Sequence, residues 1–394
     1  MEARFLLDLA LILVVTKIFG LLTRRVHLPQ VVGALFAGII LGPAILGIIQ
    51  PSYIMNALAE VGVILIMFAA GLGTDFQQLR GSLKASGVIA VIGALLALAG
   101  GFALALNFGQ GTRESIFIGV VLTATSVGIS AEALQEMGKL KTKSGTTILG
   151  AAIIDDILGI IILSIMMGMG MGVGAGDVSF ANIGMTLLRI CMFFAIAAIC
   201  GIVAFKFFEH LSVKGGGLRR LPIFGLAFCF FMAYLSERFG VADIVGAYIA
   251  GLVLCNSKAE KHIVENTAVL SYMFFSPIFF VSVGLGTSFA GLDRNTVTFT
   301  ILLLVVAVAA KFIGCGFGAF LCKYSRSECM QVGVGMISRG EVAIIIATQG
   351  VGVGLMNVDL FSSVILVVVV TSLITPVLLK KMFGDKDAQL PSVM

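Results

Sequence analysis

Two adjacent aspartates, Asp155 and Asp156, lie inside a long apolar run that reads GAAIIDDILGIIIL. On insertion scales an ionised side chain at the centre of a membrane helix costs roughly 2.5–3.5 kcal/mol, so such a pair indicates a function. Neighbouring helix positions point about 100° apart because 3.6 residues make one turn. We therefore expect one carboxylate to face an aqueous cavity and the other to face a partner on another helix. Carboxylate oxygens in such a cavity suit a hard cation such as sodium.

A single lysine, Lys311, lies in a second apolar run, VVAVAAKFIGCGFG. A lysine in such surroundings either loses its proton or pairs with a carboxylate. Apolar residues flank Lys311 for many positions, which disfavours a side chain that reaches the membrane surface. The sequence thus predicts an ion pair between Lys311 and the aspartate pair.

Polar residues interrupt two further apolar stretches. The first interruption, TATSVGIS, contains Thr125 and Ser126, and the second, ISRGE, contains Arg339 and Glu341. Hydroxyl groups and the carbonyl groups of an unwound helix can bind cations, and broken helices at matching positions of two halves are typical of transport sites. We expect Arg339 and Glu341 to compensate the dipoles of the opposed half-helices.

The composition requires these groups to sit in a membrane. Of the 394 residues, 59% are hydrophobic and 12% are charged, against about 25% charged in soluble domains. This excludes a soluble globular enzyme. A span needs about 20 apolar residues, and thirteen stretches meet that requirement approximately: 5–22, 30–49, 53–73, 85–107, 115–137, 145–171, 180–208, 219–236, 240–256, 267–286, 297–321, 329–353 and 359–382.

The positive charges predict the orientation of these spans. With the amino terminus outside, nineteen lysines and arginines fall on the cytoplasmic side and four on the other, while Arg189, Lys311 and Arg339 lie within spans. Cytoplasmic loops of membrane proteins carry this excess. The sequence therefore predicts an outer amino terminus and a cytoplasmic carboxyl terminus.

Thirteen spans divide into six, one and six. Two six-helix units joined by a single helix have opposite orientations, which is the arrangement of inverted repeats in secondary transporters. We predict an all-α polytopic membrane protein with a first repeat over 1–172, a linking helix over 180–208 and a second repeat over 218–384. The broken helices are the fifth of each unit. Short connections leave no room for a soluble regulatory domain.

Seven segments together resemble the monovalent cation:proton antiporter-2 family, and in particular its NapA/GerN-type bacterial sodium/proton antiporters. They are AGIILGP (37–43), FAAGLGTD (68–75), TATSVGISAEAL (123–134), GAAIIDDILGIIIL (150–163), GAYIAGL (246–252), FFSPIFFVSVGL (274–285) and ISRGEVAIIIA (337–347). The resemblance covers essentially the whole chain. It implies a homodimer in the bacterial inner membrane, in which spans 1–3 and 8–10 form a scaffold and spans 4–6 and 11–13 form a moving core.

The same resemblance assigns roles to the site residues. Asp156 matches the cation- and proton-binding aspartate, and Asp155 matches the aspartate that pairs with the core lysine, Lys311. Residues around the site are matched by Thr125, Ser126 and Glu341. An Asp-Asp pair resembles the electrogenic members that exchange sodium or lithium for protons, with no cofactor. Members that gate potassium efflux usually carry Gln-Asp and a nucleotide-binding domain.

Other functions remain open on the residues alone. Oxygen ligands discriminate poorly between sodium and potassium, so potassium/proton or mixed-cation exchange is the first alternative, and a passive cation channel is the second. An intramembrane protease is disfavoured because both strong aspartates share one helix.

Overall fold

The computed structural model describes residues 3–25, 28–168, 180–213, 220–287, 294–352, 354–356 and 358–384. These residues form α-helices and one π-helical segment, with no strand among them. The helices are α1 (Ala3–Arg25), α2 (Gln30–Leu41), α3 (Tyr53–Leu72), α4 (Phe76–Asn107), α5 (Thr112–Val121), α6 (Val127–Glu136), α7 (Lys143–Gly168), α8 (Phe180–Val213), α9 (Leu221–Arg238), α10 (Asp243–Leu254), α11 (Glu260–Leu270), α12 (Ser276–Leu285), α13 (Arg294–Leu321), α14 (Arg326–Gly335), α15 (Glu341–Gly352) and α16 (Val358–Phe383).

Nine helical segments of the described chain are long and apolar enough to cross a membrane, and three shorter apolar helices accompany them. The nine are Arg4–Arg25, Tyr53–Leu72, Phe76–Asn107, Lys143–Leu163, Gly184–Leu211, Leu221–Arg238, Glu260–Leu285, Arg294–Leu321 and Leu360–Phe383. Large apolar side chains on their outer faces are exposed, such as Val203 on α8 at 63%. Contiguous apolar surface of this kind indicates contact with lipid.

Three elements differ clearly from the predicted spans, and one of them, α4, begins at Phe76 instead of at residue 85. The stretch 30–49 forms a helix only as far as Leu41, because Gly42 adopts an extended conformation and Pro43 follows it. The stretch 267–286 begins earlier, at Glu260, and contains a π-helical segment, Ser271–Phe275. Pro277 lies directly beyond that segment, and a proline removes one hydrogen-bond donor from the helical ladder.

Both polar interruptions coincide with real breaks in the helices. The first lies between α5 and α6, over 122–126, and the second lies between α14 and α15, over 336–340. Ser126 starts α6 by accepting a hydrogen bond from the Ile129 N–H at 3.4 Å. Hydroxyl side chains that bind nearby backbone groups compete with the helix and favour its ends.

Small residues bring α4, α7 and α13 together around the aspartate pair. Gly314 of α13 faces Gly93 of α4, where an added Cβ would lie 3.0 Å from the Gly93 Cα. Gly150 of α7 lies against Ser86 of α4 in the same way. Such contacts allow the backbones of membrane helices to approach closely. They place the central part of α7 beside Lys311 of α13.

A second group of helices packs through another set of glycines. Gly38 of α2 lies against Gly284 of α12, and Gly71 of α3 lies against Gly251 of α10. At each contact an added Cβ would collide with the backbone of the opposite helix. The tight packing joins α2, α3, α10 and α12 into a bundle on the other side of α6.

Candidate functional site

The two breaks lie against each other at the centre of the molecule. The backbone N–H of Ser126 donates to the Ser338 carbonyl at 2.9 Å, and the Ser338 hydroxyl donates to the Ser126 carbonyl at 3.1 Å. One turn along α6, the Ser130 hydroxyl donates to the Gly335 carbonyl at 2.6 Å. Unwound backbone within a membrane is tolerated when buried partners satisfy its polar groups. These hydrogen bonds therefore stabilise the crossing point.

Asp155 lies on α7 next to this crossing, with its side chain fully buried. Its Oδ2 atom accepts two hydrogen bonds of 2.7 Å, one from the Lys311 ammonium group and one from the Thr125 hydroxyl. Its other oxygen, Oδ1, is also buried and accepts no hydrogen bond from the residues that the structure describes. One carboxylate thus joins α7, α13 and the first break.

Asp156 is likewise fully buried, at the next position of α7. It shares a helix face with Gly159, three residues further on. Gly159 faces the Thr123 hydroxyl of the first break and Ile346 of α15. Neighbouring positions of a helix point about 100° apart, so the two carboxylates leave α7 in different directions, and that of Asp155 contacts Lys311 and Thr125.

Arg339 lies in the second break and is 1% exposed. Its guanidinium group donates to the carbonyls of Ala124, at 3.3 Å, and Ala307, at 3.0 Å. Ala124 belongs to the first break, and Ala307 precedes Lys311 by one helical turn on α13. The side chain thus links both breaks to the helix that carries the lysine.

Two hydroxyl residues on α16 hold the backbone of Arg339. The Arg339 N–H donates to the Thr371 hydroxyl at 3.1 Å, and the Ser372 hydroxyl donates to the Arg339 carbonyl at 3.1 Å. Sequence analysis did not identify Thr371 and Ser372. The sequence feature that could identify them is an adjacent pair of hydroxyl residues directly after VVVV in an apolar helix.

The predicted site residues fall into three groups. The structure brings Thr125, Asp155 and Lys311 into direct contact, while Asp156 lies next to Asp155 on α7 and Ser126 and Arg339 lie in the two breaks. Glu341 begins α15, but its side chain lies outside the described residues.

The ionisable groups buried here among the described side chains are two carboxylates from α7, the amino group of Lys311 and the guanidinium group of Arg339. Buried ions are stable only when they are paired and hydrogen-bonded. The described residues contain no cluster of three or more histidine, cysteine, aspartate or glutamate side chains that could hold a metal ion. Candidate cation ligands are therefore carboxylate oxygens, the Thr125 hydroxyl and carbonyls of the unwound segments.

Comparison with known proteins gives a consistent set of relatives. A family model described as "Sodium/hydrogen exchanger, transmembrane" matches residues 10–383. The Na(+)/H(+)-K(+) antiporter GerN of Bacillus cereus is 39% identical over 391 residues, covering 98% of each chain. The Na(+)/H(+) antiporter of Enterococcus hirae is 36% identical over 374 residues, covering 94% of this chain and 96% of that protein.

Solved structures show a similar fold. The sodium proton antiporter MjNhaP1 of Methanocaldococcus jannaschii at pH 8 is 19% identical, with a TM-score of 0.64 and 94% coverage of both chains. An electron-microscopy structure of MjNhaP1 gives a TM-score of 0.70, with 19% identity and 96% coverage of both chains. At this identity the likeness concerns the fold alone.

Proposed function

The chain belongs to the sodium/hydrogen exchanger family, and we propose that it is a secondary antiporter that exchanges Na⁺ or Li⁺ for H⁺ by alternating access. It is an integral membrane protein and a transporter rather than an enzyme, and its ions are substrates, with no cofactor required. The names of the relatives from B. cereus and E. hirae support this exchange. The observation that carries the proposal is a buried aspartate pair beside two crossing broken helices.

We assign Asp156 as the main cation and proton site, with Thr125, Ser126 and Asp155 beside it. A carboxylate binds Na⁺ only when it is deprotonated, so Na⁺ and H⁺ compete for one group. Moving an empty charged carboxylate through the membrane interior is costly, so the site crosses only when it is loaded. Competition then couples the two gradients without contact between the substrates.

The Asp155–Lys311 pair provides a second charge-coupled step. A bound cation attracts the Asp155 carboxylate, and the weakened ion pair lets Lys311 release its proton. This step makes the exchange electrogenic. Its support is the 2.7 Å contact between Lys311 and Asp155, together with the second buried oxygen of Asp155, which accepts no hydrogen bond from the described residues.

Arg339 and Glu341 provide the electrostatics of the broken helices in this proposal. A positive side chain in the second break and a negative one at the start of α15 oppose the partial charges of the half-helix ends. The contacts of Arg339 with the carbonyls of both neighbouring elements support its part of this role.

We propose thirteen spans, in which α5 with α6, α11 with α12, and α14 with α15 each count as one. The inverted repeats would be 1–172 and 218–384, with 180–208 as the linking helix. A short repeated segment supports the inverted repeats, because GLGT occurs at 71–74 and again at 284–287. The packing follows the same relation: Gly38 meets Gly284, and Gly71 meets Gly251. The equivalent segments AGIIL (37–41) and AGLVL (250–254) supply the partners.

The arrangement within the membrane follows from the same proposal. The scaffold is formed by α1–α3 and α9–α12, and the moving core by α4–α7 and α13–α16. Two such chains form a homodimer in the bacterial inner membrane. The excess of lysine and arginine on one side supports an outer amino terminus and a cytoplasmic carboxyl terminus.

Potassium/proton or mixed-cation exchange is the second candidate, because the name of the GerN relative includes K⁺ as well as Na⁺. Proteoliposomes that contain the purified protein, with a pH dye and a voltage probe, test both candidates. We expect Na⁺ and Li⁺ gradients to drive proton flux and to change the membrane voltage, while K⁺ drives little. Cation flux that does not change with an opposing proton gradient would instead indicate a passive channel.

A further inference from the structure

The amino terminus of α2 takes its cap from a distant helix. Its own N-cap residue, Pro29, makes no side-chain capping hydrogen bond. The first N–H groups of a helix have no partner within the helix and need one elsewhere. Here the Gln30 N–H lies 2.7 and 2.8 Å from the two carboxylate oxygens of Glu136, the last residue of α6. The Val31 N–H interacts electrostatically with the same carboxylate.

A second contact lies one turn earlier on the same face of α6. The Glu132 carboxylate, 6% exposed, accepts a hydrogen bond from the Ser276 hydroxyl at 3.2 Å. Ser276 is the first residue of α12 and follows the π-helical segment Ser271–Phe275. Single π-helical turns inside α-helices occur frequently at functional sites. This one interrupts the helix directly before the contact with Glu132.

Next to these polar contacts, the same helix packs against α3 and α12 through a small residue and apolar side chains. Gly128 of α6 faces Val63 of α3 and the ring of Phe279 of α12. Such surfaces can slide over one another, whereas a carboxylate that caps a helix must lose its hydrogen bonds when either helix moves.

We propose that Glu132 and Glu136 form a latch that holds the core against the scaffold in the conformation described here. The latch consists of these two glutamates, Ser276 and the amino terminus of α2. This inference rests on the proposed function, in which α6 belongs to the moving core while α2 and α12 belong to the scaffold. Movement of the core then requires both contacts to break together, and their strength sets the population of this conformation.

Other charged or polar groups face the latch from neighbouring helices. Arg24 of α1 and Lys380 of α16 interact electrostatically with Glu136, and Tyr272 lies close to both glutamates. Both cations, together with the positive end of the α2 dipole, attract the Glu136 carboxylate.

Hydrogen–deuterium exchange of the full-length protein in detergent, read by mass spectrometry, tests the latch. We expect Glu136→Ala to speed exchange at residues 30–31 by about fivefold or more, because the hydrogen bonds that cap α2 are lost. Ser276→Ala should speed exchange at the same residues by roughly threefold, although Ser276 does not contact them. The effect reaches residues 30–31 because loss of the Ser276 contact lets the whole core, including Glu136, shift away from the scaffold.

Matched variants separate a latch from a local cap. Ser282→Ala, on the same helix, removes only a hydrogen bond to the Phe279 carbonyl, and Glu265→Ala changes an exposed glutamate of α11. In both variants the amide hydrogens of residues 30–31 should exchange at the wild-type rate. If Glu136→Ala fails to fold, Glu136→Gln, which keeps one acceptor oxygen, should give a smaller increase.

The result that overturns the latch is wild-type exchange at residues 30–31 in Ser276→Ala, since Glu136 would then be a local cap only. This readout requires no transport. Failure of the proposed function would appear separately, as wild-type proteoliposomes without Na⁺-driven proton flux.

Discussion

Lys311 lies 2.7 Å from Asp155 in a fully buried ion pair that joins α13 to α7. Neither partner reaches solvent, so each charge depends on the other for its stability. The Thr125 hydroxyl donates to the same oxygen, Oδ2. A cation that approaches Asp155 must therefore compete with two donors.

Removing one charge of this ion pair should destabilise the protein more than removing both charges. Lys311→Gln leaves a buried carboxylate without its counter-charge, which typically costs about 3–5 kcal/mol. The double variant Lys311→Gln with Asp155→Asn removes both charges and should recover most of that loss. Thermal unfolding in detergent measures both effects. Equal loss in the single and double variants would show that the pair contributes no coupling energy.

Thr125 should contribute to cation binding through its hydrogen bond to Asp155. We expect Thr125→Ala to raise the apparent KM for Na⁺ about fivefold or more, since hydrogen bonds to charged groups contribute roughly 1.5–3 kcal/mol. Thr125→Ser keeps the hydroxyl and should stay near wild type. Thr16→Ala is the matched control, because the Thr16 hydroxyl is also buried but donates to the Ile12 carbonyl of its own helix, α1. An unchanged KM in Thr125→Ala would remove this residue from the site.

Arg339 should not be replaceable by lysine. A guanidinium group donates to the Ala124 and Ala307 carbonyls from two different nitrogens, whereas an ammonium group carries its three N–H donors on one nitrogen. We expect Arg339→Lys to lower the melting temperature and to slow Na⁺-driven proton flux by about tenfold. Arg113→Lys makes the same change at an exposed position of α5 and should alter neither the melting temperature nor the proton flux. Full activity in Arg339→Lys would mean that charge alone suffices.

Protons should inhibit Na⁺ transport competitively. A protonated carboxyl group does not bind Na⁺, so the apparent KM for Na⁺ should rise as pH falls below the pKa of the site. For one competing proton the increase is about tenfold per pH unit. Initial rates over a series of Na⁺ concentrations at several pH values measure this. A fall in maximal rate at constant KM would indicate separate sites for the two ions.

Several parts of the site could be predicted because they cost energy in a membrane. An ionised group inside an apolar run is conspicuous, which is why the aspartate pair and Lys311 stand out in the sequence. The breaks at 122–126 and 336–340 are similarly visible, since hydroxyl and glycine residues interrupt the apolar pattern. The contact of Asp155 with Lys311 follows from the need of each charge for a partner.

Other features depend on tertiary packing and leave no local signal. The end of α2 at Leu41 has a local signal in Gly42 and Pro43, but nothing local predicts that Glu136 caps its beginning from 106 positions away. Thr371 and Ser372 resemble ordinary hydroxyl residues of a membrane helix until α16 packs against Arg339. Contacts between distant segments of this kind become visible only in three dimensions.

The most direct test of the proposed exchange is the Asp156→Asn variant in proteoliposomes. Asparagine has nearly the same shape but neither ionises nor takes up a proton, so Na⁺-driven proton flux should vanish while the protein still folds. Asp8→Asn makes the same change on the peripheral helix α1 and should exchange at the wild-type rate. Exchange at the normal rate in Asp156→Asn would contradict the assignment of the site.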